Sequence, residues 1–271
     1  MTESTRSTLA IREVGTGPVA VLLHAFPCDG RMWLPQAEAL AQAGWRCLVV
    51  DLPGFGRSQP LPGPPSVEAV AERIVVELAL LGVDRCALAG VSLGGYVAMA
   101  VVRAHPEIVA ALALCDTKAS ADSDTALANR ERLASAVDED PANVGRILEQ
   151  AVLPGLLGRT TFAERPEVVQ QVRSWLHEAA PTSVAWYQRA MAHRPDSHDA
   201  LAQAGLPTLV VRGEQDVLST HEDALAMVAA SPDARLVTVP GAGHLAGVED
   251  PAAVSEALTG FLGLVTGPQT S

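Results

Sequence analysis

The stretch CALAGVSLGG, residues 86–95, decides the fold predicted for this chain. Its first half is a continuous apolar run, which is typical of a parallel β-strand covered on both faces. A helical pattern begins directly after Ser92. Glycines two residues before and two residues after Ser92 allow the chain to double back, so this turn is predicted to raise the serine hydroxyl above the edge of a sheet.

The same alternation of short apolar runs and longer helical patterns continues on both sides of this turn. Strands are predicted at Val19–His24, Cys47–Asp51, Cys86–Val91, Val109–Cys115, Thr208–Arg212 and Arg235–Val239. Helices are predicted at Ser66–Leu81, Gly94–Ala104, His221–Ala230 and Pro251–Leu262. This order predicts an α/β protein with a doubly wound, mostly parallel sheet and right-handed crossovers.

One long segment breaks this rhythm. Residues 118–204 contain no convincing strand, and they read as several helices separated by prolines. We therefore predict a core domain formed by residues 1–117 and 205–271. Residues 118–204 are predicted to be a helical cap, inserted between two core strands and lying above the sheet.

Composition excludes several classes of protein. The chain has 271 residues, of which 48% are hydrophobic, so it can bury the core of one α/β domain with an insertion. Its formal net charge of −12 argues against nucleic acid as a partner. The start lacks the apolar core of a signal peptide, and no apolar run reaches the roughly 20 residues of a membrane helix. We expect a cytoplasmic protein with no membrane contact, whose four scattered cysteines are free and buried.

Ser92 at a strand-to-helix turn is a candidate nucleophile, and it needs a base to take its proton. His244 follows the last predicted strand in the glycine-containing stretch PGAGH, so it can turn back over the carboxyl edge of the sheet, where ligands of open α/β sheets bind. An acid must then orient the imidazole. Asp216, which follows the strand Thr208–Arg212, is the preferred candidate, and Asp116, at the end of another strand, is the alternative.

The tetrahedral oxyanion of such a reaction needs backbone N–H donors. The Leu93 amide lies at the start of a helix, where it lacks an intrahelical partner, and the Phe26 amide lies in the loop after the first predicted strand. His24 in this loop is predicted to organise it. His24, Asp116, Trp186 and Tyr187 are further candidates for contact with a substrate.

Taken together, the motifs HAFP (24–27), DLPGFGRS (51–58), GVSLGG (90–95), GEQD (213–216) and PGAGH (240–244) resemble those of the α/β-hydrolase superfamily, over nearly the whole chain. The order of serine, aspartate and histidine is also that of the superfamily. One departure is Ala25, where relatives often carry glycine. Within the superfamily, the chain looks most like 3-oxoadipate enol-lactonase-like enzymes and small bacterial esterases.

This resemblance implies a serine hydrolase with an acyl-enzyme intermediate, a small-molecule ester or lactone as substrate, and neither a cofactor nor a metal. An enol-lactonase would need a cation to pair with its substrate carboxylate, and a cap arginine such as Arg189 is a candidate for this role. Serine at the turn argues against haloalkane dehalogenases and epoxide hydrolases, which carry aspartate there. It leaves open a carbon–carbon bond hydrolase, a cofactor-free perhydrolase and a non-catalytic ligand-binding protein of the same fold.

Overall fold

The computed structural model describes residues 9–265. Its sheet has seven strands, which are β1 (Ile11–Val14), β2 (Val19–Leu23), β3 (Arg46–Val50), β4 (Cys86–Val91), β5 (Val109–Cys115), β6 (Pro207–Gly213) and β7 (Asp233–Val239). Their order across the sheet is β1-β3-β2-β4-β5-β6-β7. Only β1 runs antiparallel to its neighbour. The predicted α/β-hydrolase fold with its mostly parallel, doubly wound sheet is thus confirmed.

Helices connect the strands. They are α1 (Leu34–Gln42), α2 (Val67–Leu80), α3 (Leu93–Ala104), α4 (Asp124–Glu139), α5 (Val144–Ala151), α6 (Leu153–Leu156), α7 (Arg159–Glu164), α8 (Pro166–Glu178), α9 (Pro181–Ala192), α10 (His198–Ala204), α11 (His221–Ala230), α12 (Ala246–Glu249) and α13 (Pro251–Val265). On one face of the sheet α1 packs against α13, and on the other face α2 and α11 flank α3 and α10. Both faces are therefore covered, which explains the continuous apolar runs of the central strands.

The register of the central strands prepares the site. Leu23 at the end of β2 pairs with Gly90, and Val91 at the end of β4 pairs with Cys115. Three parallel strands consequently end at the same edge of the sheet. The loops that follow them, together with those after β6 and β7, are the segments that carry the candidate catalytic residues.

Strand β1, helix α1 and the short helix α12 were not predicted from the sequence. Strand β1 has the sequence IREV, and the two exposed charged residues at its centre break the apolar run that would indicate a strand. It lies at the edge of the sheet and pairs with β3 alone. Helix α1 lies between β2 and β3 in the chain, and its sequence is too short to indicate a helix clearly. Its packing against α13 and β3 stabilises it.

The segment between β5 and β6 is helical, as its sequence pattern suggests. Helices α4 to α10 occupy it, and we call residues 118–204 the helical insertion. Helices α4 and α9 pack together, as do α5 and α8. The last helix behaves differently, because α10 packs against α3 and α11 of the sheet layer.

The four cysteines are free and buried, and burial raises the pKa of Cys47 to about 11 and that of Cys86 to about 12. These thiols are consequently protonated and unreactive at neutral pH. No helix within residues 9–265 is both long and apolar enough to span a membrane.

Candidate active site

Ser92 occupies the sharp turn between β4 and α3. Its backbone has φ 52° and ψ −110°, a region that residues other than glycine rarely adopt. Three hydrogen bonds hold this conformation: the Ser92 N–H donates to the Cys115 carbonyl at 3.0 Å, and the Ser92 carbonyl accepts from the Thr117 hydroxyl at 2.9 Å and from the Tyr96 N–H at 3.1 Å. The surrounding structure therefore fixes a strained residue with a half-buried side chain that a ligand can reach.

The two glycines that flank the turn leave no room for a side chain. A Cβ atom on Gly90 would lie 2.2 Å from the Gly94 carbonyl oxygen, and one on Gly94 would lie 2.1 Å from the Leu23 carbonyl oxygen. Both obstacles are backbone atoms, which cannot move aside as a flexible side chain would. The close approach of α3 to the ends of β2 and β4 requires glycine at these positions.

Gly94→Ala is expected to lower the free energy of unfolding by about 3 kcal/mol or more, because the methyl group would overlap backbone. Urea unfolding measures this change. The matched control is Gly260→Ala in α13, where the added Cβ meets no atom within 4 Å. The control should be neutral or stabilising by up to about 1 kcal/mol, and equal losses in the two variants would contradict the close-approach explanation.

A continuous hydrogen-bonded relay starts at Ser92. The Ser92 Oγ lies 2.8 Å from His244 Nε2, and His244 Nδ1 lies 2.9 Å from Asp216 Oδ2. The Asp216 Oδ1 atom accepts from the Leu218 N–H at 2.8 Å and from the Ser219 N–H at 3.1 Å, and the Ser219 hydroxyl donates to Oδ2. Both His244 and Asp216 are buried. The relay therefore joins three residues that are far apart in the sequence.

The environment keeps Asp216 ionised. Burial acts to raise the pKa of this carboxyl, but the neighbouring His244 imidazole and the hydrogen bonds from Ser219 and Leu218 outweigh burial, so the pKa lies below its usual range. An ionised carboxylate at this place can accept a hydrogen bond from a protonated Nδ1 of His244, and that tautomer leaves Nε2 able to accept the proton of Ser92.

Asp116, the alternative acid, is engaged elsewhere. Its oxygens accept from the Gly213 N–H at 2.7 Å and from the Ala246 N–H at 2.9 Å, and its backbone has φ 42°. The side chain is completely buried, and burial together with the charge of Asp216 raises its pKa. Asp116 thus ties the end of β6 to the start of α12, two residues after His244, and no hydrogen bond joins it to the imidazole within residues 9–265.

The candidate oxyanion donors flank Ser92. Leu93 is the first residue of α3, and Phe26 lines the same cavity as Ser92. Within residues 9–265, we find no hydrogen bond from the Phe26 N–H to another group. His24 is fully buried beneath this loop, where its Nδ1 contacts the Ala25 carbonyl at 2.9 Å and its Nε2 accepts from the Leu52 N–H at 2.9 Å. Burial lowers the pKa of His24, so the neutral ring suits these two backbone contacts.

A cavity of about 550 Å³ is lined by Ser92 and His244, and the helical insertion forms most of its remaining wall. This volume suits a small organic molecule. Its apolar lining includes Leu133, Ile147, Val152, Leu156 and Met191. The Ser92 hydroxyl is consequently exposed to a chamber with a largely apolar lining.

The sequence matches the alpha/beta hydrolase fold family over residues 18–251. The chain belongs to this family. A pimeloyl-[acyl-carrier protein] methyl ester esterase from Aeromonas hydrophila is 29% identical over 263 residues, which are 94% of this chain and all of that enzyme.

Solved structures agree with this assignment. A thermophilic esterase from Thermogutta terrifontis, with malate bound, shares 40% sequence identity and a TM-score of 0.90, with 95% of this chain and 93% of the esterase covered. The enol-lactonase from Burkholderia xenovorans LB400 shares 25% identity and a TM-score of 0.84, with 94% and 96% covered. The relatives of this alpha/beta hydrolase are hydrolases, and the chain is identified as an enzyme of that kind.

Four residues expected to contact substrate lie outside the lining of this hydrolase's cavity, namely His24, Asp116, Trp186 and Tyr187. The side chains of His24 and Asp116 form hydrogen bonds with backbone groups, as described above. The Trp186 indole N–H donates to the Gly63 carbonyl at 3.1 Å, and the Tyr187 ring is buried 4.9 Å from that of Phe55. Helix α9 instead turns Gln188 and Met191 toward the cavity, a choice of helix face that its sequence alone does not reveal.

Arg189, the arginine of the helical insertion that the sequence analysis named, is also engaged elsewhere. The Arg189 guanidinium lies 3.0 Å from Glu131 and 2.8 Å from Asp138, so both of its carboxylate partners belong to the helical insertion. These partners raise the pKa of Arg189, and the residue does not line the cavity. Arg189 therefore stabilises the packing of α9 against α4.

Glu249 is a residue that sequence reasoning missed. Its buried carboxylate accepts from the Gly243 N–H at 2.7 Å, from the Gly158 N–H at 2.8 Å and from the Thr161 hydroxyl at 2.6 Å. Gly243 precedes His244, whereas Gly158 and Thr161 belong to the helical insertion. One side chain thus joins the loop of the candidate base to the wall of the cavity. Its place directly before Asp250 and Pro251, at a helix start, gave no signal of this role.

Glu249→Gln is expected to lower the free energy of unfolding by about 1–3 kcal/mol, because an amide donor would face N–H or O–H donors. We also expect a lower kcat with little change in KM, because the backbone that carries His244 would shift. Steady-state kinetics and urea unfolding test this. The control is Glu256→Gln, an exposed position on α13. A normal kcat in a destabilised Glu249→Gln protein would show that Glu249 stabilises the fold without positioning His244.

No group of three or more His, Cys, Asp or Glu side chains within residues 9–265 is arranged to hold a metal ion. The groups that the structure does place in series are the Ser92 hydroxyl, the His244 imidazole and the Asp216 carboxylate.

Proposed function

We propose that this alpha/beta hydrolase cleaves an ester or lactone bond of a small molecule through an acyl-enzyme intermediate. The observation that carries the proposal is the unbroken relay from Ser92 through His244 to Asp216, which opens into a cavity. A protein that only binds a ligand would not require all three groups in this geometry.

The reaction begins when His244 Nε2 takes the Ser92 proton and Oγ attacks the carbonyl carbon. The Phe26 and Leu93 amides donate to the oxyanion of the tetrahedral intermediate. Each donor of this kind lowers the activation free energy by about 3–4 kcal/mol. His244 then returns the proton to the leaving oxygen. A water molecule activated by the same imidazole releases the acyl group and regenerates Ser92.

The helical insertion acts as the cap of this reaction chamber. It supplies most of the apolar lining, and excluding bulk water there strengthens the hydrogen bonds to the oxyanion.

Similarity to an esterase and to an enol-lactonase supports both open esters and lactones as substrates.

The test of this proposal is a panel of p-nitrophenyl esters, lactones and enol-lactones, combined with covalent labelling by a fluorophosphonate. We expect hydrolysis of at least one class and labelling at Ser92, located by peptide mass spectrometry. Labelling without hydrolysis would direct the search to carbon–carbon bond cleavage or perhydrolysis. Absence of both would favour a ligand-binding protein and contradict the proposal.

A further inference from the structure

The cavity has a positively charged wall in an otherwise acidic protein. Lys118, Arg130 and Arg132 line it, whereas Asp122 is the one carboxylate among the lining residues of the described chain. The whole chain carries a formal net charge of −12. Cations gathered in a partly closed, apolar chamber raise the local concentration of anions.

The charge of Asp122 is already neutralised by the buried guanidinium of Arg194. Its side chain is 0% exposed, and the buried Arg194 guanidinium lies 2.8 Å from Asp122 Oδ1. Arg194 is fixed in place because it lies 3.9 Å over the Tyr96 ring and donates to the Met191 and Ser120 carbonyls, each at 2.8 Å. Asp122 and Arg194 therefore form a neutral pair beneath the cavity wall.

Two further cations share this one carboxylate. Arg130 donates through Nε to Asp122, whereas its Nη1 contacts only weak or distant acceptors, the Gln188 amide oxygen at 3.4 Å and the Met191 sulfur at 3.5 Å. Within residues 9–265, no acceptor contacts its Nη2. Lys118 Nζ lies 3.8 Å from Asp122, beyond hydrogen-bond distance. The side chains of Arg130 and Lys118 are mostly buried, with 19% and 21% of their surface exposed, respectively.

An arrangement of three cations around one carboxylate is short of negative charge. By contrast, two partly exposed arginines elsewhere in the described chain have carboxylates of their own: Arg46 has Glu13, and Arg189 has Glu131 and Asp138. Partly buried cations without full compensation are costly, and the cost is removed when an anion binds. The unused N–H donors of Arg130 and the Lys118 ammonium are positioned to supply charge-assisted hydrogen bonds to that anion.

We propose that the molecule hydrolysed here carries a carboxylate, which Lys118 and Arg130 bind while Ser92 attacks the ester or lactone bond in the same cavity. This inference rests on the proposed function. It names the substrate class as acidic esters or lactones, and it makes Lys118 and Arg130 the residues that determine specificity.

The test uses pairs of substrates that differ only in charge. In the first pair, mono-p-nitrophenyl adipate is compared with its terminal amide, and the carboxylate lies in the acyl part. In the second pair, the hexanoate ester of para-hydroxybenzoate is compared with that of para-hydroxybenzamide, and the carboxylate lies in the alcohol part. We expect kcat/KM to favour the carboxylate in at least one pair by about 10- to 100-fold, and this preference to shrink as salt is added.

Lys118→Met should reduce that preference by about 10-fold, mainly through a higher KM for the carboxylate member of the pair. The variant is expected to fold normally because Lys118 makes no hydrogen bond in the described structure. Arg130→Lys keeps the charge but loses the planar donors, so it should retain part of the preference. Arg189→Gln removes a cation from the same insertion outside the cavity, and it should behave like the unmodified enzyme.

Equal rates within both pairs, or a preference that survives Lys118→Met and Arg130→Lys undiminished, would overturn the inference. Hydrolysis of all four substrates with labelled Ser92 would leave the proposed function intact in that case. Failure of the proposed function is distinct, since it requires that neither member of either pair is hydrolysed and that Ser92 is not labelled.

Discussion

Ser92→Ala is expected to reduce kcat/KM for ester hydrolysis by about 10⁴- to 10⁶-fold. The hydroxyl that His244 contacts at 2.8 Å is the only nucleophile placed in this relay, and alanine removes it without adding volume. The remaining oxyanion donors would still accelerate attack by water slightly, so a small residual rate is consistent with the mechanism. Initial rates with the best ester of the panel measure the loss.

The control for this variant is Ser174→Ala, an exposed serine on α8 that lies outside the cavity. It should keep full activity, and both variants should melt within a few degrees of the unmodified protein. Backbone hydrogen bonds hold residue 92 in its strained conformation, and alanine can form the same bonds. The Ser92→Ala protein should therefore fold normally. Retention of more than a tenth of the ester hydrolysis by Ser92→Ala would exclude the acyl-enzyme mechanism.

Asp216→Asn is expected to lower kcat by about 10⁴-fold with a smaller effect on KM. The amide would no longer stabilise the imidazolium, and its NH₂ group could force His244 into the tautomer that cannot accept the Ser92 proton. Loss of an ionised, hydrogen-bonded carboxylate also removes its contribution to stability. Since the pKa of Asp216 is lowered by folding, this contribution is present above the unfolded pKa and disappears as the pH falls through the folded pKa.

The matched control is Asp116→Asn, in the residue that competed for the role of acid. It accepts two backbone N–H groups and does not contact His244, so the substitution should cost about 1–3 kcal/mol of stability and less than about 10-fold in kcat. Rates and urea unfolding of the two variants settle the assignment. The reverse pattern, with Asp116→Asn inactive and Asp216→Asn active, would assign the acid to Asp116.

Local sequence determined the scaffold because its signals are short in range. Continuous apolar runs identified the parallel strands to within two residues at their ends, and the GVSLGG turn identified where a strand gives way to a helix. Edge strand β1 escaped detection because a strand held by one neighbour needs little apolar sequence. The order of serine, aspartate and histidine along the chain further indicated which residues should meet at the carboxyl edge, since parallel strands end there together.

The tertiary structure alone decided which side chains face the cavity. Which face of α9 lines it depends on how that helix packs against α4, so Trp186 and Tyr187 point elsewhere while Gln188 and Met191 face inward. The choice between Asp116 and Asp216 likewise depended on a 2.9 Å contact between loops 28 residues apart in sequence. Charge compensation is also non-local, so the shortage of negative charge around Asp122 and the link through Glu249 emerge only when distant segments are packed together.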